Sequence, residues 1–382
     1  MRQAIKTSQV HDFIISIVGD DLHAKRVLSL INATVGVIHA ATLGVCAIGR
    51  ALAMAQGLKT KHAIKQVDRL LSNVELNVAA FSAQWVPYII AARMEIVVAL
   101  DWTDFDADGH STLALHMITS HGRATPLMWK TVRKSRLKNR RNAYEDKLLN
   151  QLRSVVPAHV RVTLLADRGF GDVKLYALLR QLKFEWVIRF RAGIKVTDVN
   201  DETRTAGQWV PLNGRPKLLR DVRVTGAKMP VPSVVCVKAK NMKEAWCLAA
   251  GSSTASAAAL VKLYGKRFTI EENFRDTKDL RFGMGLSQTH IASTERRDRL
   301  LLLSALATVL LTLLGAAGES LGMDRYLKAN TVKHRTHSLF FQGSYYYAAM
   351  PMMKLEEFEP LVSAFAKLVR EQPIFHQVFS LI

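Results

Sequence analysis

The stretch LYGKRFTIEENFRDTKDL, residues 263–280, carries four polar side chains in one row of a helical pattern. Tyr264, Arg267, Glu271 and Lys278 are separated by three, four and seven residues, steps that return to the same face of a helix. A phenol, a guanidinium, a carboxylate and an ammonium group in one row could do chemistry on a phosphate chain. The row could also be a set of surface ion pairs, which are common and contribute little to stability. Taken alone, the helix favours the second interpretation.

Two more acids follow apolar runs that have the pattern of buried strands. Asp101 ends the run in MEIVVALDW, and Asp167 ends the run in VRVTLLADRGFGD. Neighbouring strands bring their ends together, and a helix packed across that edge would add Glu271. Three carboxylates at one point repel each other unless a cation lies there, and the hard cations Mg²⁺ or Mn²⁺ suit an all-oxygen site. Asp104 is the alternative to Asp101, because it follows the same run.

A pair of such metal ions would give every member of the row a role. Two ions can activate a water molecule and stabilise the leaving oxygen of a phosphodiester. Arg267 would hold phosphate oxygens bidentately and Lys278 would hold them as a point charge. Tyr264 would donate its hydroxyl group to the same backbone. With the two strand-end aspartates, the row therefore predicts a metal-dependent site for phosphodiester chemistry.

The bulk composition indicates a basic, globular protein. The chain has 382 residues, enough for two or three domains of ~150 residues each. Apolar residues make up 49%, and the net charge is +21. A globular protein this basic usually binds a polyanion, with nucleic acid as the first expectation and a membrane surface as the second. The three cysteines form no CxxC motif, which is typical of a reducing compartment without a disulfide framework.

The order of patterns along the chain predicts three regions. Residues 1–92 have helical patterns. Residues 93–290 predict an α/β region with a mixed sheet, in the order three strands, helix, strand, helix, strand, with a β-rich insert at about 192–250. Residues 291–382 are again helical in pattern.

Basic side chains cluster in the first region. An apolar helix is expected to end near Gly57 with a left-handed cap, and Thr60 is expected to cap the next helix. Lys61, Lys65 and Arg69 then lie at steps of four on its outer face. Such a basic helix could bind a DNA groove, or it could be a solvated surface of a helical bundle. A second basic run, residues 130–141, is expected to contact phosphates, with a solvated helix face as its alternative.

One apolar segment, residues 300–318, approaches the length of a membrane span. It is flanked by the charged run 295–299 and contains Ser, Thr and Gly. We therefore expect a buried core helix and no membrane association. The N-terminus lacks a long apolar stretch, so we expect no signal peptide.

These motifs resemble those of one group of bacterial insertion-sequence transposases, the fourth family in the insertion-sequence classification. The spacing Y-x2-R-x3-E-x6-K is the signature of that group, and the row in residues 263–280 matches it at every step. LLADRGFGD and VVALDW resemble the group's two aspartate motifs, and HAIKQVDRLLSN resembles its N-terminal region. The resemblance extends from about residue 40 to about residue 290.

The resemblance implies a ribonuclease-H-like catalytic domain with the acidic triad Asp101, Asp167 and Glu271. It implies Mg²⁺-dependent nicking of double-stranded DNA at the terminal inverted repeats, followed by transfer into target DNA, by a homodimer located in the bacterial cytoplasm with the nucleoid. Related enzymes with a β insert can form a hairpin on the transposon end, and a Trp before the signature stacks on an extruded base. Trp246 is the residue at that place, with a strand-core role as its alternative. Arg168 either contacts DNA or pairs with an acid.

Three other functions are compatible with parts of the sequence. A nuclease with the same fold would cut without strand transfer. A transposase-derived protein that binds DNA and is catalytically silent would have no need for three clustered acids. A membrane-associated protein rests only on residues 300–318.

Overall fold

The computed structural model describes residue 5, residues 7–18, 22–281 and 283–371, and residue 378. The strands are β1 (Glu95–Phe105), β2 (His110–Met117), β3 (Thr125–Arg133), β4 (Arg161–Ala166), β5 (Glu185–Phe190), β6 (Lys195–Thr197), β7 (Thr203–Thr205), β8 (Lys217–Val224), β9 (Met229–Val237) and β10 (Trp246–Ala250). The α-helices of the described residues are α1 (Thr7–Val18), α2 (Ala24–Ala40), α3 (Val45–Gln56), α4 (Thr60–Ser72), α5 (Val78–Ile90), α6 (Arg141–Val155), α7 (Val173–Gln181), α8 (Ala257–Gly265), α9 (Phe268–Lys278), α10 (Thr294–Ser320), α11 (Leu339–Ala349) and α12 (Leu355–Arg370).

A single sheet organises the middle of the chain, with the strand order β3-β2-β1-β4-β5-β10-β9-β8-β6-β7. The first three strands pair antiparallel, whereas β1 with β4 and β4 with β5 pair parallel. Parallel neighbours need a crossover, and the helices α6 and α7 provide it. The predicted order of three strands, helix, strand, helix, strand is confirmed. It is a ribonuclease-H-like arrangement within a mixed α/β fold.

The β-rich insert continues the same sheet. Its last strand, β10, pairs antiparallel with β5, and β9 and β8 follow by further antiparallel pairing. Most apolar residues of β9 and β10 are buried, which explains their nearly continuous apolar sequence. The insert therefore extends the sheet beyond β5.

The apolar segment 300–318 lies in α10, and 89% of its most apolar 18-residue window is buried inside the protein. By length and composition this helix could cross a membrane, as could the bent pair α2 and α3 taken as one span. Its burial is that of a core helix, as expected. Helix α11 crosses it closely, because a Cβ on Gly315 would lie 1.9 Å from the carbonyl oxygen of Leu339. A larger residue at Gly315 would force the two helices apart.

The N-terminal helices pack through another close approach. A Cβ on Gly49 of α3 would lie 2.5 Å from the Cα of Ile64 on α4, so only glycine allows this contact. Helix α3 is followed by Gly57 at φ 66°, which confirms the predicted left-handed cap. The capping role predicted for Thr60 is wrong, because Thr60 is already the first helical residue and Lys59 precedes it without a side-chain cap. The three-region division of the chain stays a prediction.

Candidate active site

The register of the sheet brings two of the predicted acids to neighbouring positions. Leu100 and Ala166 are the last residues paired between the parallel strands β1 and β4. Asp101 and Asp167 follow them directly, so both acids emerge at the point where β4 leaves the sheet. Asp167 then begins a turn in which its Oδ1 accepts a hydrogen bond from the Gly169 N–H at 2.8 Å.

Asp101 does not end its strand, in contrast to the prediction. Strand β1 continues to Phe105 because β2 remains paired beside it, with Asp101 opposite Ala114 and Phe105 opposite His110. An antiparallel partner satisfies the backbone of these polar residues even where β4 no longer does. The apolar run thus marks the length of the parallel ladder and not the length of the strand.

The sequence predicts one helix for the whole signature, but the structure has two. Tyr264 lies on α8, and Glu271 and Lys278 lie on α9. Helix α8 ends at Gly265 and α9 begins at Phe268. Across the break, the Arg267 N–H donates to the Tyr264 carbonyl at 3.0 Å, a contact three residues back in place of four. Gly265 weakens a continuous helix at this point, because glycine is costly in a helix interior.

Arg267 joins the two helices to the acids. One terminal nitrogen of its guanidinium lies 3.0 Å from Oδ2 of Asp101, and the other donates to Oε1 of Glu271. The Arg267 side chain is buried, with the residue only 5% exposed, whereas Glu271 is exposed. The guanidinium therefore lies between two of the three acids, where the prediction had it facing a phosphate.

Burial and the neighbouring charges shift the pKa of Asp101. Burial raises the pKa of Asp101 to about 6, Arg267 opposes that rise, and the charges of Asp167 and Glu271 add to it. The alternative acid, Asp104, belongs to different contacts: it accepts from Ser111 Oγ at 2.7 Å and pairs with Lys134 at 2.8 Å. Asp101 is thus the acid of this strand that shares its surroundings with the other two.

Lys278 ties the end of α9 to the end of β1. Its Nζ donates to the Asp104 carbonyl at 2.7 Å and to Thr103 Oγ1 at 3.2 Å, and it lies 5.0 Å from the centre of the Phe105 ring. The side chain is half-buried. In this arrangement the ammonium group fixes the helix against the strand that carries Asp101.

Tyr264 and Trp246 form an aromatic cluster behind the break. Tyr264 is 1% exposed, and burial raises the pKa of its hydroxyl group. Its ring meets that of Trp246 edge-on, with centroids 4.9 Å apart, and Trp246 also stacks on Phe268 at 6.0 Å. Trp246 is half-buried, whereas Phe268 is 43% exposed, so the cluster reaches the surface through Phe268.

Arg168 pairs with an acid, which was one of the two expected roles. Its guanidinium lies 3.0 Å from Glu244, and Arg189 binds the same carboxylate at 2.7 Å. In the sequence, all three residues lie between Asp167 and strand β10. The contact leaves Arg168 exposed at the edge of the site.

Sequence reasoning missed the clamp that holds α9. Arg123, in the loop before β3, lies 2.5 Å from Asp276 and 3.7 Å from Glu272 through its guanidinium nitrogens. The loop also donates a backbone hydrogen bond from Ala124 to the carbonyl of Thr269 at 3.4 Å. No local pattern marks Arg123, since its partner lies 153 residues away.

The three carboxylates suit a hard cation, although the guanidinium of Arg267 lies between two of them. Among the described residues, no three His, Cys, Asp or Glu side chains are grouped closely enough to hold a metal ion as they stand. Asp101, Asp167 and Glu271 nevertheless supply only carboxylate oxygens, the ligands that Mg²⁺ prefers. Arg267 supplies positive charge between two of these acids. The three carboxylates therefore fit a divalent cation once the guanidinium of Arg267 has left Asp101 and Glu271 for other partners.

The DNA-binding side chains that the sequence predicts within residues 1–92 lie on helix α4. Lys61, Lys65 and Arg69 are all exposed on the outer face of α4, whose inner residues Val67 and Leu71 are buried. In the basic run 130–141, Lys130 and Lys134 pair with acids. Other members of the run are exposed, among them Arg133, Arg136, Lys138 and Arg140. These surfaces carry the charge that remains open to a polyanion.

A ribonuclease-H-like sheet with aspartates where its two central parallel strands separate defines a class of enzymes that act on nucleic-acid phosphodiesters. Residues 92–310, more than half of the chain, match the family model described as the transposase DDE domain. The chain belongs to this family. A search of curated proteins found no match. The family implies a transposase that acts on DNA and uses divalent metal ions.

Proposed function

We propose that this chain is an active transposase of the group with the Y-x2-R-x3-E-x6-K signature. It binds the terminal inverted repeats of an insertion sequence, nicks the ends and joins them to target DNA. The observation that carries the proposal is the register of β1 and β4, which sets Asp101 beside Asp167 directly after the last parallel pair. Helix α9 adds Glu271, which is linked to Asp101 by the guanidinium of Arg267.

The proposed catalytic residues are Asp101, Asp167 and Glu271. Together they would hold Mg²⁺, or Mn²⁺ as a substitute, most simply as two ions, which would supply activation of water and neutralisation of the leaving oxygen. The chain's own contribution is to keep three carboxylates at one place. Arg267 lowers their mutual repulsion before the substrate arrives, because its charge opposes the upward shift of the pKa of Asp101.

The remaining signature residues act on position and on the DNA backbone. Arg267 exchanges its carboxylate partners for phosphate oxygens when DNA enters, because each group offers two oxygens that can accept hydrogen bonds from a guanidinium bidentately. Lys278 holds α9 against β1 and leaves its ammonium group near the same path. Tyr264 supports Trp246 from behind, and Trp246 with Phe268 offers an aromatic surface on which a displaced base could stack. A hairpin intermediate on the transposon end is part of this proposal.

DNA binding away from the chemistry belongs to the exposed basic residues. Lys61, Lys65 and Arg69 on α4 are proposed to contact the terminal repeats, and Arg168 to contact DNA beside Asp167. The enzyme works as a homodimer, since two ends must be held together for transfer, and it acts in the bacterial cytoplasm on nucleoid DNA. The exposed positions of these side chains support the proposal.

A cleavage assay tests the proposal directly. Labelled duplex carrying the element's own terminal repeats is incubated with wild type and with Glu271→Gln, in Mg²⁺ and in EDTA. We expect cutting at the repeat boundary by wild type in Mg²⁺ alone. Joined products with target DNA distinguish a transposase from a nuclease without strand transfer, and a hairpin product reports on the β insert. Cutting by Glu271→Gln at the wild-type rate would overturn the assignment of the triad.

A second candidate function is a DNA-binding protein that is catalytically silent. The observation in its favour is the pairing of Arg267 with both Asp101 and Glu271, which occupies two of the three acids. Under this alternative, wild type binds the terminal repeats specifically and cuts them in no divalent metal. The same assay therefore decides between the two functions.

A further inference from the structure

A groove of about 290 Å³ lies between α2 and α4 in the N-terminal helices. Its basic lining comes from both helices, with Lys25 and Arg26 at the start of α2 and His62 and Arg69 on α4. The other lining residues are Ser29, Gln66, Leu70 and Asn73. None of the eight is acidic, so the lining carries positive charge and no carboxylate.

The positive charge of the groove is poorly neutralised by the protein itself. Lys25, His62 and Arg69 are exposed, and in the described part of the chain none of them forms an ion pair. Arg26 has one partner, Glu75, at 3.4 Å on an open surface. Cations that lie side by side with only one acid near them repel each other, so the arrangement favours an anion from outside.

The shape of the groove limits what that anion can be. The groove of about 290 Å³ between the two helices is open, and no Phe, Tyr or Trp lines it to hold a base or a drug-sized ligand. Arg69 belongs both to the groove and to the exposed row of α4 that contains Lys61 and Lys65. A linear polyanion that follows the row therefore meets the groove at Arg69.

We propose that the groove between α2 and α4 binds a phosphodiester of the DNA backbone and so extends the DNA interface from α4 onto α2. Lys25 and Arg26 contact one phosphate from the α2 side, while Arg69 contacts it or its neighbour from the α4 side. Contacts of this kind set the position of a protein on a duplex and do not read its sequence. The inference rests on the proposed binding of transposon ends and adds the residues of α2 to it.

The test measures how DNA affinity depends on salt in the full-length protein, with EDTA present to prevent cleavage. The variants are Lys25→Gln and Arg26→Gln, singly and together. Lys367→Gln is the matched control, because Lys367 is also an exposed lysine on a helix, namely α12. The probes are a duplex of the terminal repeat and a duplex of scrambled sequence.

We expect the slope of log affinity against log salt to fall by about 0.9 for each phosphate contact that is lost. Because Lys25 and Arg26 share one phosphate, the double variant should lose about 0.9, Lys25→Gln should lose part of that amount, and Lys25→Arg should keep the wild-type slope. Lys367→Gln should also keep it. Ethylation of the backbone phosphate that Lys25 and Arg26 share should weaken binding of wild type much more than binding of the double variant. Equal melting temperatures of the variants exclude a loss of folding.

Two other outcomes overturn different parts of the idea. If Lys25→Gln and the double variant show the slope of wild type, the groove binds no phosphate, while end binding by α4 stands. If wild type does not prefer the terminal repeat to the scrambled duplex, the proposed specific end binding fails, while the groove is still judged from the slope on either duplex. Failure of wild type to bind any DNA overturns both.

Discussion

The candidate active site and the groove between α2 and α4 are both rich in charge, but the protein neutralises much more of that charge in the first region than in the second. In the active site, Arg267 is buried and its guanidinium binds Asp101 and Glu271. In the groove, Lys25 and Arg69 are exposed and no acid belongs to the lining. The cation of the first region pairs with two acids of the protein, whereas in the second region Lys25 and Arg69 face solvent and Arg26 pairs with Glu75.

The difference shows how a net charge of +21 should be interpreted. The total predicts a polyanionic partner, yet it does not say which cations are available to that partner. A guanidinium already held by carboxylates has to give them up before it can hold a phosphate, whereas an exposed lysine has only water and counterions to lose. DNA affinity should therefore come mainly from the N-terminal helices, and cleavage from the acids.

The largest expected effect separates these two properties. Asp167→Asn should lower cleavage by about 10³-fold or more, since charge stabilisation at such a site contributes several kcal/mol and each 1.36 kcal/mol is a factor of ten. Its affinity for the terminal repeat should be nearly that of wild type. Cleavage and filter-binding assays on the same duplex measure both quantities.

Asp172→Asn is the matched control, because asparagine can replace Asp172 as the cap of α7. It should cleave at close to the wild-type rate. If Asp167→Asn lost end binding together with cleavage, the separation of the two regions would be wrong.

The second effect concerns the internal pairing of Arg267. Arg267→Gln leaves Asp101 and Glu271 near each other without a cation, and removing one partner of a buried ion pair typically costs about 3–5 kcal/mol. We expect about 2–4 kcal/mol here, because Glu271 is half-exposed. Urea unfolding in EDTA measures the loss.

Arg275→Gln provides the comparison for that measurement. Arg275 also pairs with a glutamate of α9, Glu272, but both side chains are exposed. It should change the free energy of unfolding by less than about 1 kcal/mol. Equal effects of the two substitutions would show that the Arg267 contacts are no stronger than surface ion pairs.

The third effect tests the exposed basic row of α4. Replacing Lys61, Lys65 and Arg69 together by Gln should lower the slope of DNA affinity against salt by about 2 to 3, one contact each. The fold should be unaffected, since the three side chains point away from the buried residues of the helix. Titration of labelled duplex between low and moderate salt measures the slope. An unchanged slope would move the phosphate contacts to another surface, such as the run 130–141.

Much of this molecule was predictable from local patterns. The apolar runs before Asp101 and Asp167 predicted neighbouring strands, because parallel strands buried on both faces have nearly continuous apolar sequences. The charged flank and the small residues of 300–318 predicted a core helix, and α10 is largely buried. Where an apolar pattern is repeated over many residues, the burial of apolar side chains dominates, and the pattern therefore predicts the buried element.

The interior of the candidate site was not predictable in the same way. Steps of three and four place Arg267 and Glu271 on one face, but they do not reveal the break after Gly265. They also give no sign that the guanidinium turns toward Asp101, which is 166 residues away. The direction of one side chain depends on the competition between several partners, and those partners come together only in the folded chain.

The smallest effect is a dependence of stability on pH that belongs to the active site. Burial raises the pKa of Asp101 from 3.8 to about 6. Between about pH 4 and pH 6 the folded state therefore keeps a proton that the unfolded state has released, so this carboxyl lowers the free energy of unfolding as the pH rises through that range. Two pKa units would correspond to about 3 kcal/mol, and partial contact with water reduces the expectation to about 2 kcal/mol.

Urea unfolding in EDTA at several values between pH 4 and pH 7 measures this dependence. Asp101→Asn should remove about 2 kcal/mol of the decrease, and the share of Asp298, whose pKa burial also raises to about 6, should remain. Lys25→Gln should leave the decrease as it is, because Lys25 is exposed and pairs with no acid among the residues that the structure describes. If Asp101→Asn unfolds with the pH dependence of wild type, the carboxyl is as well solvated as the cations of the groove. The active site would then differ from the groove only in its pairing and not in its burial.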